Sequence, residues 1–245
     1  MAAAVDKGAI QIGNMGLPPF SKAFENGLQA RIIGSTIIRK LDIFLVSQPE
    51  IKNIADLKGK RIGILSLGSC DNYFTRYMLG KEFINPTDQV ELIPLGRSYG
   101  NLGLITTRAV DATFLVEPKV TLGKSKNILN ILACVGDYFP RYQWNVIFAR
   151  DGFIKENDGL IHDILNAYRK SVLYIIENPQ EAVIFGSRLF KIRKDIFKRT
   201  LNRTVGTWET EARIDTLGMA NAIQIQKEIG ALGPDFRMET MIEKV

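Results

Sequence analysis

The apolar residues of this 245-residue chain recur in two rhythms. Up to about residue 149, short apolar runs rich in β-branched residues alternate with segments of three- and four-residue spacing. The runs predict buried strands, and the spaced segments predict helices with one apolar face. Strands are expected over 9–12, 30–33, 43–47, 62–65, 90–95, 111–116, 128–135 and 142–149, and helices over 21–26, 70–83 and 98–107. After residue 149 helical spacing takes over, over 158–177, 179–189, 194–201 and 210–229, with Pro179 placed for a first helical turn. Between the first strand and the first helix, residues 13–19 hold two glycines and two prolines. That composition predicts a shaped loop rather than a helix or a central strand.

Alternating strands and helices predict an α/β architecture, with helices covering mostly parallel sheets. Composition agrees: 46% hydrophobic and 24% charged residues are ordinary for a globular chain with a real core. No apolar run approaches the ~20 residues of a membrane span. The first seven residues lack a basic region followed by a long apolar stretch, so no signal peptide is read there.

Charge and reactive residues narrow the chemistry. The net charge of +6 is moderate, and its densest stretch, Arg188 to Arg203, interleaves basic with apolar residues. That is the wet face of an amphipathic helix, and with no nucleic-acid motif elsewhere no nucleic-acid partner is expected. One histidine, His162, excludes a histidine-rich metal site, and Cys70 and Cys134 form no CxxC pair. No metal and no cofactor are expected. Cys70 at a helix start would have a lowered pKa, but no histidine is near it in sequence to make it a nucleophile.

One stretch is more specific. Asp56-Leu57-Lys58-Gly59-Lys60-Arg61-Ile62-Gly63-Ile64, followed by Gly68-Ser69, resembles the "DLKGKxIGV…GS" signature of periplasmic binding proteins. Val110-Asp111-Ala112, Glu117-Pro118, Asn178-Pro179-Gln180-Glu181-Ala182 and then Trp208 follow in the same order and spacing. The set resembles the nitrate/sulfonate/taurine family, also called NMT1/SsuA-like, over nearly the whole chain. The resemblance implies a two-lobed type II periplasmic binding protein fold, each lobe a mixed, mostly parallel sheet flanked by helices. It implies lobe 1 from 1–48 and 141–245, and lobe 2 from 49–140. It also implies capture of a small molecule between two closing lobes, delivery to ABC transporter membrane subunits, and a periplasmic or extracellular, membrane-anchored location. By the same resemblance the chain begins part-way into the first lobe. An incomplete sheet would leave apolar surface uncovered and favour a homodimer.

In an open α/β sheet, ligands bind outside the carboxyl ends of the strands. Gly68, Ser69 and Cys70 follow the strand over 62–65 and open a helix, where backbone N–H groups and the helix dipole favour anions. The family's ligand-binding turn carries over to these three residues, and Asn72 is counted with them. Ser69 is equally readable as a plain helix cap. Asn14, Met15, Gly16 and Leu17, in the loop after the first strand, are the other lobe's contribution. Glu117 reads either as a contact to a ligand ammonium or hydroxyl or as a partner of local backbone. Tyr142, Trp144 and Trp208 are candidates for stacking, and Arg97 and Arg141 for reaching an anion. Helix dipole and arginines favour a sulfonate, nitrate or carboxylate, whereas Glu117 and Asp71 pull towards a cationic or hydroxylated ligand. A second reading is an enzyme on the same fold, of the thiamin-pyrimidine synthase or desulfinase kind, against which the scarcity of His and Cys counts.

Overall fold

The structure, a computed structural model, describes residues 4–5, 7–37, 40–67, 69–96 and 100–243. In chain order its elements are β1 (Ile12–Gly16), α1 (Leu17–Glu25), β2 (Ala30–Ile37), β3 (Ile43–Ser47), β4 (Arg61–Ile64), α2 (Cys70–Lys81), β5 (Glu91–Pro94), α3 (Gly103–Thr106), β6 (Ala112–Val116), α4 (Lys119–Ser125), β7 (Asn130–Cys134), α5 (Val135–Tyr138) and β8 (Asn145–Arg150). The helices α6 (Asp151–Glu156), α7 (Asp158–Glu177), α8 (Pro179–Leu189), α9 (Lys194–Thr204) and α10 (Thr216–Glu228) follow.

The chain divides into two compact units, one of residues 1–40, 141–182 and 205–245, the other of residues 41–140 and 183–204. In unit 1, β8 lies between β1 and β2 and pairs antiparallel with both. Apolar residues cover both of its faces. Ile147 and Ala149 pack with Ile33, Ile161 and Leu165, while the fully buried Phe148 meets Phe20 of α1 at 5.5 Å between ring centroids. A buried hydrogen bond, Ser21 Oγ to Gln226 Oε1 at 2.7 Å, ties α1 to α10. Tyr168 of α7 donates its hydroxyl to the Glu209 carbonyl at 2.7 Å. Burial, with the charge of Glu209 adding to it, pushes that phenol up to about 12.

Residues 13–19 are the clearest departure from the sequence reading, and the loop expected there is corrected. Residues 13–16 belong to β1, and α1 already starts at Leu17. Pro18 and Pro19 fall in the first helical turn, where a missing N–H loses no intrahelical bond and the fixed φ suits the helix. Gly13 sits in the strand because a Cβ there would come within 2.6 Å of the Phe148 ring.

Unit 2 holds a five-stranded sheet of order β5-β4-β6-β3-β7. β4 pairs parallel with β5 and β6, whereas β3 pairs antiparallel with β6 and β7. The expected mostly parallel sheet therefore holds for the β5-β4-β6 half of unit 2. The other half is antiparallel, as are the β1–β8 and β8–β2 pairings of unit 1. On one face of the sheet Phe44 and Val46 pack with Ile105, Val110, Leu115, Val120 and Leu129. Leu45, Ile62, Ile64, Phe114, Phe74 and Met78 are also fully buried. Residues 43–48, expected in lobe 1, belong to unit 2, because β3 pairs with β6 and β7 in its sheet. Residues 183–204 likewise fall in unit 2, because α9 is fastened to Glu117 by Arg203 and Thr200.

The motifs noted in sequence have structural work in this sheet. The Asp56 carboxylate accepts the Lys52 and Asn53 N–H groups ahead of the short 3-10 turn Ile54–Leu57, and these bonds hold its pKa below the ordinary value. Gly59, at φ +74°, adopts the left-handed conformation that leads into β4. Asp111 accepts three hydrogen bonds from Arg61, from its backbone N–H, Nε and Nη2, which join the starts of β4 and β6. Burial pushes the Asp111 carboxyl up, yet the Arg61 bonds and charge hold it, on balance, below its ordinary value.

Candidate functional site

The strand order of unit 2 creates one place where neighbouring strands lead away from each other. From β4 the chain passes through α2 to β5 on one side, and from β6 it passes through α4 to β7 on the other. The carboxyl ends of β4 and β6 are thus a topological switch point, the position where open α/β sheets bind ligands. Gly63 of β4 leaves room on one face of the sheet for the Leu95 and Thr113 side chains. A Cβ there would meet Leu95 Cδ1 at 2.5 Å and Thr113 Oγ1 at 3.1 Å.

Beyond β4 the chain turns through Leu65, Ser66 and Leu67 into α2. Two side chains brace the turn. The nearly buried Asp71 carboxylate accepts the Leu65 N–H at 2.5 Å, and Ser69 donates its hydroxyl to the Ser66 carbonyl. Ser69 occupies the N-cap position, but its side chain makes no cap bond to the helix. The first i to i−4 bond of α2 runs from Tyr73 N–H to the Ser69 carbonyl. The three preceding N–H groups, of Cys70, Asp71 and Asn72, lie at the positive end of the helix dipole. Cys70 and Asn72 are buried, and Asn72 Oδ1 accepts Arg76 Nε at 3.2 Å. Behind this turn Tyr73, Phe74, Tyr77 and Phe139 form an aromatic cluster with ring centroids 4.8–6.4 Å apart.

Apolar side chains are exposed at the same strand edge. Leu65 is 42% exposed, Leu67 65% and Val116, the last residue of β6, 48%. The edge therefore combines a dipole suited to an anion with an uncovered hydrocarbon surface. The sequence reading missed these residues, since apolar residues at a strand end read as core. The available signal was that Leu67 follows the polar Ser66 beyond the end of the expected strand.

Of the remaining expected site residues, some belong to unit 1, some are engaged within their own unit and some fall outside the described residues. Gly68 and Arg97 lie outside the described residues. The Glu117 carboxylate is only 3% exposed. It accepts Thr121 N–H at 3.0 Å and Thr121 Oγ1 at 2.9 Å, pairs with Arg203 at 3.0 Å and receives Thr200 Oγ1 at 3.4 Å. Both oxygens are occupied, so Glu117 anchors α9 and the start of α4 and offers no open acceptor to a ligand. Asp71, expected to draw a cation, instead holds the turn.

In unit 1, Asn14 is exposed and donates to Thr36 Oγ1 at 3.3 Å, Met15 and Gly16 are half-buried, and Leu17 is fully buried. Tyr142, 2% exposed, packs inside unit 1 with Trp144 at 6.2 Å between ring centroids. Trp208 is half-buried. Arg141 forms a forked pair with Asp215, Nε to Oδ2 at 3.0 Å and Nη2 to Oδ1 at 2.9 Å. Burial raises the Asp215 carboxyl, but Arg141 and the Gly218 and Leu217 N–H groups outweigh it and leave the pKa below its ordinary value. Among the described residues, no three His, Cys, Asp or Glu side chains are grouped to hold a metal ion, and no helix is long and apolar enough to cross a membrane.

Comparison with known proteins agrees with this architecture. Among solved structures, the alkanesulfonate-binding protein SsuA of Xanthomonas axonopodis pv. citri, bound to MOPS, superposes with a TM-score of 0.79 at 14% identity. The match covers 100% of this chain and 84% of that one. A cysteine-to-serine mutant of DszB in complex with biphenyl-2-sulfinic acid superposes with a TM-score of 0.65 at 14% identity, covering 87% and 76%. At such identities these structures show the fold, that of the periplasmic binding proteins. In sequence, the "Putative binding protein BAB2_1146" of Brucella abortus (strain 2308) is 25% identical over 195 residues, 79% of this chain. The match spans 58% of that relative's length. Residues 1–182 match the family described as NMT1/THI5 like, and the chain belongs to that family.

Proposed function

We propose that this chain is the solute-binding component of an ABC importer, and that its ligand is an anion with a hydrocarbon body, such as an alkyl sulfonate or carboxylate. The observation that carries the reading is the carboxyl edge of β4 and β6, where the N-terminus of α2 lies beside exposed Leu65, Leu67 and Val116. A helix N-terminus favours the anionic group, and the leucines and valine favour an apolar chain over bare nitrate. Glu117 has both oxygens occupied and one oxygen of Asp71 holds the Leu65 N–H, which weakens the case for a cationic ligand. The names of the Brucella relative and of the Xanthomonas protein point the same way. The proposal extends to a periplasmic or extracellular site of action and to transporter membrane subunits as partners.

The enzyme reading has less support. Cys70 is 8% exposed, and the lone histidine, His162, is on the outer side of α7 in unit 1. A thermal-shift screen against alkanesulfonates, alkyl carboxylates, nitrate and pyrimidines tests the proposal, with mass spectrometry of the recovered ligand. A cognate ligand at 100 times its dissociation constant adds about 2.7 kcal/mol of stability. Stabilisation by an alkyl anion that returns chemically unchanged supports the binder. Turnover of the ligand, or no shift with any anion, overturns it.

A further inference from the structure

Residues 184–199 of unit 2 carry six basic side chains and one acidic. That acidic residue, Asp195, is held by Arg193 at 2.9 Å and Arg199 at 3.4 Å. Arg188, Lys191, Lys194 and Lys198 are exposed and form no ion pair among the described residues. Beside them stand exposed apolar side chains: Phe185 is 69% exposed, Leu189 63%, Phe190 49% and Ile184 37%.

Packing explains which sides face out. α8 and α9 meet through Gly186, where a Cβ would fall 2.0 Å from the Phe197 ring, and Ser187, Ile196 and Thr200 are buried. The outward stripe of α8 therefore carries Phe185 and Leu189, four residues apart, with Arg188 beside them. Lys194 and Lys198 have the same spacing on α9. The turn between the helices presents Phe190 and Lys191, the latter at φ 52°.

We propose that this helix pair docks on an anionic phospholipid surface, with Phe185, Leu189 and Phe190 entering the headgroup region and Arg188, Lys191, Lys194 and Lys198 meeting lipid phosphates. Exposed aromatic and leucine side chains flanked by unpaired cations have the composition of interfacial helices, which combine apolar insertion with attraction to anionic lipid. The net positive charge of residues 184–199, whose one carboxylate is held by Arg193 and Arg199, complements a negative bilayer surface. The inference stands on this segment alone and does not need the ligand proposed above.

Sedimentation with vesicles tests it. The full chain is expected to bind vesicles of 30% phosphatidylglycerol in phosphatidylcholine, to leave pure phosphatidylcholine unbound, and to release with added salt. Each basic residue near such a surface is worth about fivefold in partitioning, so R188Q/K191Q/K194Q/K198Q should bind more than about a hundredfold more weakly. F185S/L189S should also lose binding. A charge-matched control, K58Q/K60Q/K126Q/K155Q, should keep most of it, which separates the patch from the overall charge. All the substituted residues are exposed, and circular dichroism melts confirm folding. Equal losses in patch and control variants would overturn the proposal, as would no binding to anionic vesicles. Self-association removed by F185S/L189S, without vesicle binding, would mark the face as a protein interface instead.

Discussion

Single residues show what local pattern can and cannot disclose. Glu117 reads in sequence as either a ligand contact or a backbone partner. Its role is decided by Arg203 and Thr200, both more than eighty residues away in sequence. Replacing Glu117 by Gln should cost about 2–3 kcal/mol in a urea melt, since a nearly buried charge-assisted network loses its anion while part-exposed Arg203 is partly solvated. Little loss would mean that α9 is fastened elsewhere. Asp215 supplies a pH test. Its folded pKa lies below the unfolded value, so its stabilisation is fully present above about pH 3.9 and is lost as pH falls through the lowered folded value. Asp215→Asn should be less stable than wild type by about 1–2 kcal/mol at neutral pH. The gap should close in acid, and a gap independent of pH would refute the assignment.

Elements were legible where the local signal agreed with the final packing. β3 was read at its true bounds because all five of its residues are buried on a two-faced sheet, leaving a plain apolar run. The helix starts at Cys70 and Pro179 were legible from a strand-to-helix turn and a first-turn proline. The same residue type misled at α1, where two successive prolines read as a loop. β2 runs to Ile37, beyond the expected end at Ile33, because Gly34 and Ser35 break the apolar run without ending the strand. Gly34 is retained in the strand by close packing, its absent Cβ lying 3.0 Å from the Ala212 carbonyl, and the pairing shifts register there. Close packing also gives an element-scale expectation. Gly186→Ala should loosen the α8–α9 pair by about 1–3 kcal/mol, because the Phe197 ring has to move aside. A melt unchanged from wild type would contradict that contact.

For the whole molecule, the alternation of strands and helices gave the α/β class, but strand membership of a sheet is a long-range property. Nothing in residues 43–48 states that β3 pairs with β6 and β7, so the division of the chain into units escaped local reading. The candidate site was half legible. The turn at Ser69 and Cys70 was located by its motif, whereas the apolar edge at Leu65, Leu67 and Val116 emerged only from strand order and exposure. Leu67 gives the most direct test of that edge, being 65% exposed and therefore dispensable for folding. Calorimetric titration of 1-hexanesulfonate into wild-type protein and into Leu67→Asp should show binding that weakens at least tenfold in the variant, with thermal stability unchanged. No binding to the wild type, or equal affinity in both, would contradict the assignment of the β4–β6 edge as the ligand site.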